Sequence, residues 1–335
     1  MIKVLKTGLL TTIQDKGRIG YQKQGIIASG VMDPIAQRIT NLLVGNNEYE
    51  AVLEMTLAGP KLEFQSDALI AISGGDLSPS INGKAVKQWR PVYVKAGSVL
   101  TFGQAKKGCR AYLAIAGSID VPIVMGSKST YLRAGIGGFE GRGLQSEDLL
   151  STGSPSDIAQ ERVAELAKEA NGNAFLEMDW YVASDFAPNF NEQQEVRVIK
   201  GREYEWFSAK SKEDFLTSSY TISTQSDRMG YRLEGTSLYR DNEASLLSEA
   251  VAFGTIQVPS NGQPIILLAD RQTTGGYPKI AQIASVDLPI IGQIKPGSTI
   301  RFTEISLDEA QELYLQREKK IQELIQGIQL KTKSR

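Results

Sequence analysis

The chain has 335 residues, enough for about two domains with their own cores, and its 37 basic and 38 acidic groups nearly cancel. It has no histidine and one cysteine, Cys109. Those counts exclude a Ser-His-Asp or Cys-His engine, a His- or thiolate-held zinc and an internal disulfide, and the even charge argues against a nucleic-acid partner.

The segment Met1-Ile-Lys-Val-Leu-Lys6 lacks the sustained apolar core of a signal peptide, and no apolar run is long enough to span a bilayer. A cytoplasmic protein with no membrane partner is expected. In chain order, the first dense polar cluster is Thr11-Thr-Ile-Gln-Asp-Lys-Gly-Arg-Ile-Gly-Tyr21. It reads equally as a tight turn in which Asp15 and Arg18 pair, or as a lip for a small polar ligand with Gln14, Asp15 and Arg18 as contacts. Asp33-Pro34 opens an apolar-periodic stretch that stops at Gly45, which predicts a helix over 35–44 with Asp33 as its N-cap.

Short β-forming runs follow. Strands are expected at 68–72, ended by Ser73-Gly-Gly-Asp76, and at 90–95 and 99–102. Asn82-Gly83 between β-forming residues predicts a hairpin. Cys109 sits in an alternating segment and reads as a packed thiol rather than a nucleophile. Residues 126–143 are rich in glycine and hydroxyls and carry Arg133. Successive N–H groups there can form an anion nest, with Ser129 and Arg133 as contacts; a flexible loop is the plainer reading. The P-loop and dinucleotide-binding glycine patterns are absent.

Ser156 to Ala170 is amphipathic, and composition across 151–195 reads as a helical linker plus loop. Further strands are expected at 254–258, which contains Gln257, and at 264–268 and 299–303. Ser306 and Glu309 form a capping box before a long helix to 330, which either packs on the body or receives a partner.

Two clusters in this half concentrate chemistry. Residues 226–232 contain Asp227 and Arg228. Asp270-Arg-Gln-Thr-Thr-Gly-Gly-Tyr-Pro-Lys279 follows an apolar strand. Seven polar or charged groups with two glycines suit an anion- or amide-binding site better than a bare turn. Arg271 and Lys279 are read as charge neutralisers. Gln272 and Thr273 would orient an amide, and Gly275, Gly276 and Tyr277 would flank the ligand. Asp227 or Asp270 would accept a proton or help hold Mg²⁺. Asp227, Asp270, Arg271 and Lys279 are thus the catalytic candidates, and Arg228 and Gln257 join the binding set. No metal-ligand set is assigned.

The chain also repeats itself. Lys95-Ala-Gly-Ser-Val-Leu-Thr-Phe102 resembles Lys295-Pro-Gly-Ser-Thr-Ile-Arg-Phe302, and the run from Thr12 to Tyr21 resembles that from Thr224 to Tyr231. Leu53-Glu54 pairs more loosely with Ser248-Glu249. The kept order suggests two related domains, 1–150 and 196–305, joined by 151–195 and followed by a helix and tail at 306–335.

Six motifs extend this reading: Gly8-Leu-Leu-Thr-Thr-Ile-Gln-Asp-x-Gly-Arg-x-Gly-Tyr21, Ser29-Gly-Val-Met-Asp33, Asn41-Leu-Leu-Val-Gly-Asn46, Gly126-Ser-x-Ser-Thr130, Ser226-Asp-Arg-Met-Gly-Tyr-Arg-Leu-Glu-Gly235 and Asp270-Arg-Gln-Thr-Thr-Gly-Gly-Tyr-Pro278. Over about residues 2–305 the chain resembles the biotin-dependent carboxyltransferase / allophanate hydrolase subunit 2 family. Gly75 replaces the family's usual alanine and Lys128 its usual arginine, which keeps the charge but loses the planar fork. The resemblance implies a mainly β protein of two tandem cyclophilin-like β-barrels with few helices. It implies a complex with the A and B subunits of 5-oxoprolinase, the latter KipI-like. That assembly would convert 5-oxo-L-proline, ATP and water to L-glutamate, ADP and phosphate, with Mg²⁺ ligands unassigned. No biotin-attachment sequence is present. Two other roles compatible with the resemblance are a carboxyltransferase acting on a urea-like amide and a regulatory protein that binds a KipI-like inhibitor.

Overall fold

Alternating burial along short runs makes this chain mainly β. Gln193–Lys200, for example, buries Gln194, Val196 and Val198 on one face and turns Gln193, Glu195 and Lys200 outward. The computed structural model describes residues 1–187, 193–241, 244 and 246–333. The described residues hold five α-helices: α1 (Pro34–Leu43), α2 (Asp157–Glu169), α3 (Ala209–Thr217), α4 (Leu288–Gln293) and α5 (Leu307–Lys333). No helix is long and apolar enough to cross a membrane among these residues.

The chain divides into two compact units. The first takes in residues 1–18, 29–187 and 322–333, and the second 19–28, 193–241 and 246–321. The segment 151–195 reads as a helical linker plus loop; its described part, 151–187, supplies the first unit with the expected helix α2 and with the strand Phe175–Glu177, which pairs with Pro91–Val94.

The first unit has two six-stranded sheets. One runs Leu149–Leu150, Ile2–Lys6, Lys61–Phe64, Val99–Thr101, Ser80–Ile81, Lys84–Ala85. The other runs Phe175–Glu177, Pro91–Val94, Ala68–Asp76, Lys107–Ile115, Val52–Thr56, Leu10–Gln14. Both sheets send side chains into one core, from Val4, Leu62 and Leu100 on one side and Leu53, Ile72 and Leu113 on the other. Ala68–Asp76 is buried nearly throughout, as a strand covered on both faces must be. It runs past the expected stop at Ser73: Gly74 has φ 78°, and the register with Lys107–Ile115 shifts across a bulge. Asp33 caps α1 by accepting from Ile35 N at 3.2 Å and Ala36 N at 3.0 Å. Cys109 is a buried thiol, as expected. The Asn82-Gly83 hairpin forms, with φ 47° and 80° at its two central residues.

In the second unit seven strands close into a barrel: Gln193–Lys200, Lys279–Ile283, Thr255–Gln257, Ile265–Leu267, Gly230–Glu234, Tyr220–Ile222 and Thr299–Glu304. The last pairs in parallel with the first, from Gln193↔Thr299 to Val198↔Glu304, so the ring has no free edge. α3 lays Phe215 on Phe302 with ring centroids 4.7 Å apart, and Tyr220 tilts against Phe302 at 5.9 Å. α3 and α4 were not anticipated. α3 has little apolar periodicity, and α4 is a six-residue element containing Pro289.

The repeat appears as identical local geometry in each unit. Ser98 N donates to Lys95 O and Ser298 N to Lys295 O, both at 3.1 Å. Gly97 and Gly297 have φ 80° and 86° and donate to Phe64 O and Ile222 O, each at 2.7 Å. Each turn thereby hands the chain into the strand that follows.

Phe302→Ala removes the central ring of the barrel's aromatic cluster. It is expected to cost about 3–5 kcal/mol in denaturant unfolding. A loss below about 1 kcal/mol would show that the cluster is not part of the cooperative core.

Candidate functional site

Gly230–Glu234 and Ile265–Leu267 pair with Gly230 opposite Leu267, so the loops at 226–229 and 268–279 leave the barrel at the same end. The backbone continues the pairing: Leu268 N donates to Met229 O at 3.0 Å and Asp270 N to Arg228 O at 2.8 Å. The two clusters that stood out in the sequence therefore meet.

Their charges are largely spent on each other. The buried Arg228 guanidinium grips Asp270 with two bonds, Nε to Oδ2 at 2.9 Å and Nη2 to Oδ1 at 3.2 Å. Asp227 Oδ1 accepts from Met229 N at 2.7 Å and Gly230 N at 3.3 Å, holding its own turn. Lys279 Nζ lies 3.3 Å from Glu203 Oε2 and 3.1 Å from Glu249 Oε2. Arg202 Nη1 reaches the other oxygen of Glu249 at 2.9 Å. The Lys279 contact, first of all, holds the Glu249 carboxyl below its ordinary range. The roles read for Asp270 and Lys279 are thus crowded by ion pairing: neither side chain is an unmatched charge in this structure.

Arg271 differs. It is half-buried, and its guanidinium donates only to carbonyls, Nε to Val251 O at 3.3 Å and Nη1 to Leu268 O at 3.2 Å. No carboxylate among the described residues lies within ion-pair distance. Burial pushes its pKa below the ordinary value, and the Asp270 charge acts the other way. A partly desolvated cation without an acid is suited to a carboxylate or phosphoryl oxygen.

The rest of the loop is shaped around it. Glu249–Ala250 pairs with Thr274–Gly275 as a two-stranded ribbon, and Val251 N donates to Thr273 O at 3.2 Å. The buried Gln257 donates from Nε2 to Tyr277 O at 3.1 Å. Gly275 lies directly on this amide, where a Cβ would come within 2.5 Å of Nε2. Gln272 and Gly276 are exposed, Thr273 is half-buried, and Tyr277 keeps 48% of its surface open.

The first-unit candidates also converge, but inward. Asp15 takes four donors: Ser127 Oγ and Ser129 Oγ to Oδ1 at 2.6 Å each, Gly17 N to Oδ1 at 2.8 Å, and Lys128 N to Oδ2 at 2.6 Å. Arg18 donates to Val124 O at 3.1 Å and to Ser129 O. Gln14 Nε2 donates to Thr12 Oγ1 at 3.1 Å and Thr130 O at 3.2 Å. Gln14, Asp15, Arg18 and Ser129 are all buried, so they brace the loop at 126–130 and do not line an open lip. Lys128 Nζ pairs with Glu50 Oε2 at 3.2 Å. Arg133 alone of this group is exposed.

Sequence reasoning gave no site role to Ser127, to Glu203 or to the buried trio of Asp33, Glu54 and Tyr112, although it read Asp33 as a helix cap and Glu54 as part of the repeat. Tyr112 OH donates to Glu54 Oε2 and accepts from Asp33 N, each at 2.9 Å. Ser127 lay within a noted motif. Glu203 meets Lys279 across 76 residues and has no local signature.

Asp270→Ala would strand the buried Arg228 charge. A loss of about 3–5 kcal/mol is expected in denaturant unfolding, with Arg228→Met in the same chain recovering part of it. Strict additivity of the two changes would show that the pair is not coupled.

Comparison with known proteins agrees with this architecture. The model for "Carboxyltransferase domain, subdomain A and B" matches residues 24–304. The chain is 40% identical to the C subunit of 5-oxoprolinase from Escherichia coli over 92% of its own length and 93% of that protein's. It is 38% identical to the C subunit of 5-oxoprolinase from Haemophilus influenzae over 93% of this chain and 94% of that one. The crystal structure of K. lactis urea amidolyase superposes with TM-score 0.85 at 31% identity, covering 96% of this chain and 20% of that one. With the family model spanning most of the sequence, this chain belongs to the carboxyltransferase family of subdomains A and B.

Proposed function

We propose that this chain is the C-type subunit of an ATP-dependent 5-oxoprolinase, working in the cytoplasm with A-type and KipI-like B-type subunits. The carrying observation is the end-to-end match to the E. coli protein of that name, 40% identical over nearly the whole of both chains. The net reaction opens the lactam of 5-oxo-L-proline: the ring C–N bond breaks, one water is consumed in forming the new carboxyl and amino groups, and a second as ATP becomes ADP and phosphate. Lactam amides are stable, so coupling to ATP supplies the driving force.

Within that reaction the second unit has a defined task. Arg271 receives the negative charge of the substrate, and Gln272 and Thr273 offer amide and hydroxyl groups to orient the lactam. Lys279, in this reading, positions the loop through Glu203 and Glu249. Asp270 does the same through Arg228. Asp227 holds the turn beside them.

The chemistry of the available donors does not suit a resident Mg²⁺. The described residues contain no cluster of three acidic, His or Cys groups able to hold a metal, and the acids of this loop already serve arginine, lysine or backbone N–H. No P-loop spacing occurs either. The nucleotide step accordingly belongs to the assembly in this reading.

The resemblance to K. lactis urea amidolyase supports a second reading, a carboxyltransferase acting on a urea-like amide. It requires carboxybiotin on a separate carrier, and avidin would abolish it.

Reconstitution with A-type and B-type subunits, omitting each in turn, tests the first reading through 5-oxoproline-dependent phosphate release. Arg271→Ala is expected to lower kcat/KM on the order of 10²-fold without lowering the melting temperature, and Arg271→Lys to recover part of that loss. Wild-type turnover by the alanine variant would remove Arg271 from the site. Activity undiminished without this chain would remove the function.

A further inference from the structure

An asparagine followed by glycine carries a latent reaction. The glycine nitrogen can attack the asparagine Cγ, because no Cβ on the glycine shields it and its backbone turns readily. The N–Cγ bond forms, the Cγ–Nδ2 bond breaks, and the amide nitrogen leaves as ammonia with the proton from the glycine N–H. Water then opens the cyclic imide at either carbonyl, leaving aspartate or isoaspartate. The sequence holds three such pairs, Asn82-Gly83, Asn171-Gly172 and Asn261-Gly262. The fold restrains them unequally.

Asn82 is pinned twice to one residue of a neighbouring strand. Its N donates to Val99 O at 3.0 Å, and its Oδ1 accepts from Val99 N at 2.8 Å. Paired strands on either side also hold the turn, with Ile81 opposite Lys84. Asn261 Oδ1 accepts from Gln263 N at 3.1 Å, and the attacking atom itself is occupied, since Gly262 N donates to Pro259 O at 3.0 Å. Gly262 is packed as well: a Cβ there would fall 2.9 Å from Ser237 Cβ.

Asn171 lacks these restraints. It lies exposed in the turn that ends α2, with φ 46°, and Gly172 follows with φ 86°. Among the described residues its side-chain amide meets no hydrogen-bond partner, and Gly172 N meets no acceptor. Nothing stands within 4 Å of the point that a Gly172 Cβ would occupy, so ring closure meets no neighbour. The turn is held through Asn171 N to Lys168 O at 3.2 Å and Asn173 N to Ala170 O at 2.9 Å.

We propose that Asn171 is a modification site, at which the folded chain deamidates ahead of Asn82 and Asn261. The product places a new negative charge at the C-terminal end of α2, where the helix dipole is already negative. In the isoaspartate form the backbone also gains a carbon between two anchored points. Ala170 is buried on one side, and on the other Ala174 O accepts from Lys95 N at 2.9 Å and Ser98 Oγ at 3.0 Å. The reaction consumes only water and needs no substrate, partner or Arg271, so its outcome and that of the proposed function are independent.

The test incubates the full chain in mildly alkaline water enriched in heavy oxygen and follows its peptides by mass spectrometry. The peptide containing Asn171 is expected to take up the label first, about ten-fold faster than the other two, which must each break one or two further hydrogen bonds before the ring can close. In a chain unfolded by urea those restraints are gone, and the three rates should converge to within about two-fold. Asn171→Gln should remove the early uptake from the folded chain and leave the slower conversions at Asn82 and Asn261 unchanged. Conversion of Asn82 or Asn261 as fast as Asn171 in the folded chain overturns the proposal. So does a lead of Asn171 that persists undiminished in urea, which would place its cause in the neighbouring residues and not in the fold.

Discussion

The buried pair between Arg228 and Asp270 determines what the second unit can offer a ligand. Its two loops come from paired strands, but backbone pairing alone would let their tips splay. A bidentate guanidinium–carboxylate contact fixes both distance and orientation, which a single point-charge contact cannot do. Because it is buried, each partner is also intolerant of the other's loss. Arg271, next in the chain to Asp270, inherits that rigidity. Its own bonds to Val251 O and Leu268 O then hold the guanidinium without neutralising it. A fixed, partly desolvated and unneutralised cation needs little reorganisation when an anion arrives.

The duplicated segments show how the same local device serves different ends. Asp15 and Asp227 each accept from the backbone N–H two residues on, at 2.8 and 2.7 Å. The turn is therefore shared between the halves of this one chain. Its surroundings differ. Asp15 is saturated further by two serine hydroxyls and a second backbone N–H, and it closes the loop at 126–130 from within. Asp227 takes only backbone donors among the contacts described. Arg18 donates to carbonyls where Arg228 grips a carboxylate. The first unit spends its polar cluster on support, and the second leaves Arg271 without a carboxylate partner among the described residues.

This divergence bounds what the sequence could disclose. Helices with local punctuation were legible: Asp33-Pro34, Ser156 and Ser306 each cap the helix expected after them. The Asn82-Gly83 hairpin was legible for the same reason, because its constraint lies within four residues. Ser73-Gly-Gly-Asp76 misled because a bulge and a stop use the same residue, glycine, and only the partner strand distinguishes them. The site divided along similar lines. Residues 226–232 and 270–279 stood out by composition and do meet. Which of their charges would be matched was not legible. Glu203 and Glu249 reach Lys279 from remote parts of the chain, and no spacing rule connects them.

Those remote acids give Lys279 and Arg271 different physics despite equal formal charge. Lys279 sits between two carboxylates, both of which also meet Arg202, so an incoming anion would have to compete with both. Its ammonium ties the ribbon at Glu249–Ala250 to the barrel strand it begins. The ribbon's other edge is set by contact: Gly275 lies so close to the Gln257 amide that any side chain there would displace it. Charge pins one side of the loop and steric fit the other. What remains adjustable on its outer surface is Gln272, Thr273 and Tyr277, next to Arg271. Under the proposed function, discrimination among amide-bearing anions falls to those three side chains, because the scaffold beneath them cannot shift without breaking an ion pair or overlapping Gln257.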